Sequence, residues 1–207
     1  MSSVPGSDAR RSAPAALRNR EAITREVRRL APTAGRALEI ASGSGEHVVR
    51  FAAAMPGLTW YPTDPDPGQR ASIAAWTASE GLNNVRPPSD IDAGKRGWAN
   101  REVPADLVVL INLLHLVPDA AAWSALDGIA QVLRPGGVAV IYGPFLRDGE
   151  TTSEGDAAFH ASLRARDPRT GYKDIADVVA RLAGAGLTHI ETVGMPANNL
   201  LLAFEKS

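Results

Sequence analysis

The segment Arg36–His47 (Arg-Ala-Leu-Glu-Ile-Ala-Ser-Gly-Ser-Gly-Glu-His) constrains this chain more than any other. It reads as a short apolar strand, a Gly-x-Gly turn and the start of a helix. Glycine lets a main chain come close to a ligand because no Cβ intervenes. Eighteen residues after Gly45 comes Thr63, then Asp64, at the tip of a second strand-like run. An acid at that place accepts hydrogen bonds from both hydroxyls of a ribose. Turn and acid together describe a nucleoside crevice at the carboxyl edge of an α/β sheet. Separately, each has a plainer reading: an ordinary βα turn, and a cap for the turn Asp64-Pro-Asp-Pro67.

Two nucleotide classes suit this crevice poorly. A dinucleotide site asks for a third small residue, and counting from Gly43 that position is Val48. No Gly-x-x-x-x-Gly-Lys-Ser/Thr run is present to cradle a triphosphate. The 207 residues suit one domain, and the absence of cysteine excludes disulfides, a thiolate nucleophile and cysteine-type zinc sites. His47, His115, His160 and His189 lack ligand spacing, so no metal is expected. A net charge of −1 gives no overall attraction to nucleic acid or membrane. Arginines 10, 11, 18, 20, 25, 28 and 29 crowd the N-terminal stretch, which reads as a solvated helix face and tail rather than a nucleic-acid arm. No run approaches the ~18 apolar residues of a membrane span. Arg10-Arg11 is not followed by an apolar h-region, so a cytoplasmic location is expected.

Residues 1–14, rich in Ser, Pro, Gly and Arg, are expected to form a disordered tail, and 15–207 a single domain. A helix over about 15–30 places Ile23, Val27 and Leu30 on one face. Asn19 continues that stripe and must find a partner in backbone or ligand. Strands then read at about 36–41, 58–63, 84–88, 106–111 and 138–142, alternating with helices at 45–55, 68–80 and 118–133, with Arg134-Pro-Gly-Gly137 as a turn. After a helix at 174–185, two strands (187–193 and 200–205) close the chain as an antiparallel hairpin. The expected fold is α/β, a mostly parallel seven-stranded sheet with helices on both faces. Residues 146–173 are long for a loop and read as a lid.

The row Glu39-x-Ala41-x-Gly43-x-Gly45 resembles the first motif of the class I S-adenosylmethionine (SAM) methyltransferases, with Ala41 in place of the first glycine. SAM has no pyrophosphate, which suits the missing third small residue. From about Ala16 onward the chain resembles one branch of that class, the DUF938 group, also called UPF0585 or methyltransferase-like 26. The matching residues include Arg18-Asn19, Leu38–His47, Trp60–Asp64, Asp92 and Ile111–His115. They continue with Tyr142–Phe145, Leu163–Pro168, Gly171–Asp174 and Met195–Asn199. Two stretches depart from the group: Gly155–His160, where it usually has Ser-Asn-x-x-Phe-Asp, and Ala93–Gly97, where it carries more aromatics. The resemblance implies a Rossmann-like fold, SAM as cofactor and S-adenosylhomocysteine as product. It implies methyl transfer to oxygen, nitrogen or an acidic carbon of a small molecule, with anionic and specialised metabolites among the expected acceptors. A SAM-binding protein without catalysis and a nicotinamide-dependent oxidoreductase are the alternatives. The Asn-Pro-Pro-Tyr motif of many base methyltransferases is absent, which argues against nucleic acid. Monomer and homodimer both stay open.

Roles follow by position. Gly43 and Gly45 are expected against the methionine part of SAM, and Glu39 either orients their turn or meets the cofactor's amino group. Asp64 is the ribose ligand and Asp92, with Asp90 as its rival, the adenine ligand. Asn19 and Asn112 are further cofactor contacts. His115 lies where the methyl would point and is the candidate base, the alternative being a histidine bonded to neighbouring loops. Tyr142 is expected to hydrogen-bond the substrate. Phe145, Arg164, Tyr172 and Asn198 are expected around it, the arginine as an anion ligand; the alternatives are a core position for Tyr142 and Phe145 and a structural salt bridge for Arg164.

Overall fold

Successive residues of a strand point to opposite faces of its sheet, and in the central strands of this chain both sets are apolar. The structure, a computed structural model, describes residues 9–207. The first eight residues of the expected tail lie outside the described residues. Beyond them come α1 (Pro14–Leu30), β1 (Gly35–Ile40), α2 (Glu46–Ala54), β2 (Leu58–Pro62), α3 (Pro67–Ser79) and β3 (Ala105–Ile111). There follow α4 (Asp119–Val132), β4 (Leu133–Gly143), β5 (Phe145–Leu146), α5 (Glu154–Arg166), β6 (Lys173–Asp174), α6 (Ile175–Gly184), β7 (Leu187–Gly194) and β8 (Leu200–Lys206).

Six strands form the main sheet in the order β2-β1-β3-β4-β8-β7. The first four run parallel, and β8 pairs antiparallel with both β4 and β7. One face of the sheet presents Leu107, Val109, Val140 and Leu201 to Ile23 and Val27 of α1 and Phe51 of α2. The other presents Val108, Leu110, Ile141 and Leu202 to Leu126 and Ile129 of α4 and Leu182 of α6. A one-residue slip in any central strand would exchange these two cores.

The expected seventh strand is not a continuous strand of the sheet. Residues 84–89 run beside β2 but meet it only at isolated bridges, Trp60 with Val85 and Thr63 with Ser89. Pro87 and Pro88 carry no N–H, nor does Pro62 opposite, so a continuous ladder cannot form. Arg134–Gly137, expected as a free turn, is taken into β4, where the register with β3 shifts between Ala105 and Leu107. The long 146–173 segment contains a helix, α5, whose only fully buried residue is Leu163.

The segment expected to be a tail up to Pro14 holds fixed contacts from Arg10 onward. Arg11 donates its N–H to Ser72 Oγ at 2.8 Å and accepts Trp76 Nε1–H on its carbonyl at 2.9 Å. Ser12 Oγ–H and the Ala13 N–H both go to the carboxylate of Glu46, at 3.0 and 2.8 Å. The start of α1 is thereby tied to the first turn of α2.

Candidate active site

Parallel strands bring their carboxyl ends to one edge, and the tips of β1, β2 and β3 build the site there. Beyond β1 the chain turns through Ala41 (φ 52), and beyond β3 through Asn112 (φ 55). Both are left-handed residues other than glycine, a conformation that costs about 1–3 kcal/mol and is held by its surroundings. The Asn112 N–H is fixed by the carbonyl of Tyr142 at 2.8 Å. Thr63 ties the first two tips, its N–H and its hydroxyl both donating to the Glu39 carbonyl at 3.0 and 2.9 Å.

A cavity of about 470 Å³ opens between these tips. Glu39, Ala41, Gly43, His47, Asp64 and Asn112 line it, and Arg11, Ser12 and Ala13 cross one side. The two motif glycines do different things. A Cβ on Gly43 would meet nothing within 4 Å, so this residue leaves the cavity open. A Cβ on Gly45 would lie 2.8 Å from the Ile73 Cα, so that residue, at φ 94, lets α2 and α3 approach one another. Gly45 is thus a packing glycine and does not line the cavity.

Glu39 is 1% exposed and its Oε2 has no hydrogen-bond partner. Burial, with the charge of Asp64 adding to it, pushes its carboxyl up to about 8. An enclosed, unanswered carboxyl of this kind is strongly stabilised by a cation that reaches it. Asp64 accepts the Gly43 N–H on Oδ2 at 3.0 Å and the Asp66 N–H on Oδ1 at 2.9 Å. Burial raises its pKa, while those two backbone bonds work against the rise. Each of its oxygens keeps a lone pair for a further donor. His47 stacks on Phe51, leaves Nδ1 unpaired and is held neutral by burial, its pKa lowered to about 4.

Asn112 and Leu116 also line a second cavity of about 630 Å³. Its walls include Arg18, Asn19, His115, Tyr142, Phe159 and Tyr172. Asn19 Nδ2–H donates to Tyr142 Oη at 3.4 Å, and its own Oδ1 is buried without a partner. Burial lowers the pKa of His115 to about 4, with Lys173 nearby acting in the same direction, so the imidazole is neutral at pH 7. His115, Phe159 and Tyr172 pack edge to face with centroids 6.0 to 6.1 Å apart. Burial pushes the Tyr172 phenol up to about 12, with the nearby Asp156 adding to the rise.

Of the residues expected from sequence, Glu39, Gly43, Asp64 and Asn112 meet at the first cavity, and Asn19, Asn112, His115, Tyr142 and Tyr172 at the second. Besides Gly45, four others face elsewhere. Asp92 accepts the Gly94 N–H at 3.0 Å and pairs with Lys95 at 3.5 Å, outside the cavity lining. Phe145 is buried in the core beneath α4 and α6, because β5 pairs with β6 and turns it inward. Arg164 lines a separate cavity with His160 and Lys173. Asn198 spends its Nδ2 on Ser153 and Asp156, binding its turn to α5. Sequence reasoning missed Glu46, which pairs with Ser12 and Ala13, and Arg11, which pairs with Ser72 and Trp76, all more than thirty residues apart in the chain. It also gave Arg18 no role.

The six-stranded sheet with its final antiparallel hairpin is a fold that the chain shares with solved O-methyltransferases. An O-methyltransferase family protein from Burkholderia thailandensis superposes with a TM-score of 0.78 at 19% identity, over 90% of this chain and 56% of that one. A neocarzinostatin-biosynthesis O-methyltransferase, solved with SAM and 2-hydroxy-5-methyl naphthoic acid, gives 0.72 at 16% identity, over 93% and 55%. An O-methyltransferase family 2 protein from Planctomyces limnophilus, solved with apigenin, gives 0.74 at 18%, over 91% and 62%. The chain thus matches little more than half the length of these structures. Residues 10–206 match the family described as protein of unknown function DUF938, and the chain belongs to that family.

Proposed function

We propose that this protein is a SAM-dependent methyltransferase acting on a small molecule. The observation that carries the reading is the junction of the two cavities at Asn112 and Leu116. One cavity has groups for a nucleoside and an ammonium, and the other has a neutral imidazole and aromatic walls. The cofactor, when bound, supplies a methyl group on a positively charged sulfur that keeps the bonding electron pair as the methyl leaves.

Glu39 Oε2, buried and without a partner, receives the amino group of SAM as the carboxyl gives up its proton, and Asp64 has the free lone pairs for the ribose hydroxyls. Gly43 leaves room for the methionine portion. Alignment of acceptor and methyl is the main task, because the leaving group is already a good one. Asn19, Asn112 and Tyr142 border the acceptor's position. His115, neutral at pH 7, takes the proton that an acceptor oxygen or nitrogen gives up as its electron pair bonds the methyl carbon. Val48, a buried residue of α2, speaks against a nicotinamide dinucleotide, whose fingerprint has a small residue there for close helix–strand packing.

Calorimetric titration tests this reading. S-adenosylhomocysteine is expected to bind in the micromolar range, and NADPH not to bind. A folded protein that ignores S-adenosylhomocysteine, or prefers NADPH, overturns the assignment.

A further inference from the structure

The acceptor cavity carries a positive charge that nothing around it answers. Arg18 lines the cavity from α1 and makes no hydrogen bond or ion pair among the described residues. Its neighbours in sequence are different: Arg20, Arg25 and Arg29 each face a carboxylate within 4 Å. The one carboxylate in the lining, Asp156, lies beyond ion-pair distance of Arg18. It is held instead by neutral donors, Ser153 Oγ–H at 2.7 Å, Asn198 Nδ2–H at 3.0 Å and Tyr172 Oη–H at 3.4 Å. Asp156 is therefore occupied by its own side of the cavity, and Arg18 is free for an anion.

Two further features shape what that anion belongs to. The rings of His115, Phe159 and Tyr172, packed edge to face, offer apolar surface for a flat body. Phe159 is 43% exposed, and a large apolar residue left open beside a cavity is covered when such a body enters. Asn19 Oδ1 is a buried acceptor without a donor. Buried polar atoms are normally paired, so this one calls for an O–H or N–H from a ligand.

We propose that the methyl acceptor is a hydroxylated aromatic acid, its carboxylate on Arg18, its ring against Phe159 and Tyr172, and its hydroxyl toward Asn19 Oδ1 and His115. Arg18 is then the residue that selects acids over neutral aromatics. The guanidinium fork matches a carboxylate with two parallel hydrogen bonds, which a neutral amide cannot reproduce. The bond formed joins the hydroxyl oxygen to the methyl carbon, the bond broken is that carbon's bond to the sulfonium sulfur, which keeps the pair, and the hydroxyl proton passes to His115. This assignment rests on the methyltransferase reading above.

The test uses the full chain saturated with S-adenosylhomocysteine. Four acids (salicylate, 4-hydroxybenzoate, 1-hydroxy-2-naphthoate and 3-hydroxy-2-naphthoate) and their carboxamides are titrated into it by calorimetry. At least one acid is expected to bind roughly tenfold or more tightly than its amide. Arg18→Gln is expected to erase that preference with unchanged S-adenosylhomocysteine affinity and melting temperature, and Arg18→Lys to keep part of it. Arg28→Gln, which removes an equal charge from the exposed side of α1, is expected to leave the preference intact. Amides binding as well as acids, an unchanged preference in Arg18→Gln, or S-adenosylhomocysteine binding with no acid binding at all would each overturn the proposal alone. Failure of S-adenosylhomocysteine itself to bind overturns the methyltransferase reading, and this proposal with it.

Discussion

At the scale of single residues, Glu39 makes the sharpest statement. Its pKa is raised from 4.5 to about 8 by burial. Between those values the folded chain keeps a proton that the unfolded chain has released. The stability that goes with the neutral carboxyl is full below about pH 4.5 and is lost as pH rises through about 8. Glu39→Gln is therefore expected to melt higher than the parent at pH 8.5, with the gap closing toward pH 5. The same substitution removes the proposed partner of the cofactor's ammonium, so S-adenosylhomocysteine affinity should fall roughly tenfold or more. Parent protein should release a proton on binding at pH 7, seen as a buffer-dependent heat, and Glu39→Gln should not. His47 and His115 work in the opposite sense. Their pKa values are lowered to about 4, so their contribution is present above about 6.5 and is lost as pH falls through about 4. Gly43 and Gly45 give a second contrast. Gly45→Ala drives a methyl into the Ile73 backbone and should lower the melting temperature strongly. Gly43→Ala meets no atom, so it should fold with a loss of only about 1–2 kcal/mol and instead weaken S-adenosylhomocysteine binding. Equal losses of stability in the two variants would contradict this division.

At the scale of elements, the joint between α1 and α2 holds residues that line the first cavity. Glu46 is 1% exposed and accepts Ser12 Oγ–H, the Ala13 N–H and Ser44 Oγ–H, so one carboxylate holds the residues that cross the cavity. Glu46→Ala should loosen residues 10–13. Trypsin cleavage after Arg10 and Arg11 is expected to quicken several-fold in that variant, with the cut slowed again by S-adenosylhomocysteine. Cleavage at the parental rate would mean that Ser72 and Trp76 suffice to hold the segment. None of this was legible in the sequence, because the pairing partners lie on separate elements and Ser12 and Ala13 have no local pattern. The strand-turn-helix around Gly43 was legible because every part of it is local. Asn19 was legible too, since helical spacing alone put a polar residue on an apolar face. Helix α5 was not, because it buries only Leu163 fully and so has no apolar stripe to read. Phe145 and Phe159 show the same limit. Sequence places an aromatic residue in each stretch, but strand pairing sends the first to the core and leaves the second beside a cavity.

At the scale of the molecule, the sheet's alternation was the most readable feature, since β3 and β4 are apolar on both faces and must be covered on both. Helix order then followed from the connections, while the cavities, which depend on how loops from distant strands meet, did not. The sheet also has two borders. At one, β7 carries a register shift between His189 and Glu191, and Glu191 pairs with Arg29 at 2.7 Å. At the other lies the interrupted segment with Pro87 and Pro88. A full strand there would complete the seventh rung of the sheet and expose a row of free N–H and C=O groups to other molecules, the template on which chains stack into aggregates. The two prolines therefore guard solubility at the expense of regularity. Replacing them together, Pro87→Val with Pro88→Thr, should favour the seventh strand. Sedimentation velocity is then expected to show larger, concentration-dependent species that the parent chain does not form, with any S-adenosylhomocysteine affinity unchanged.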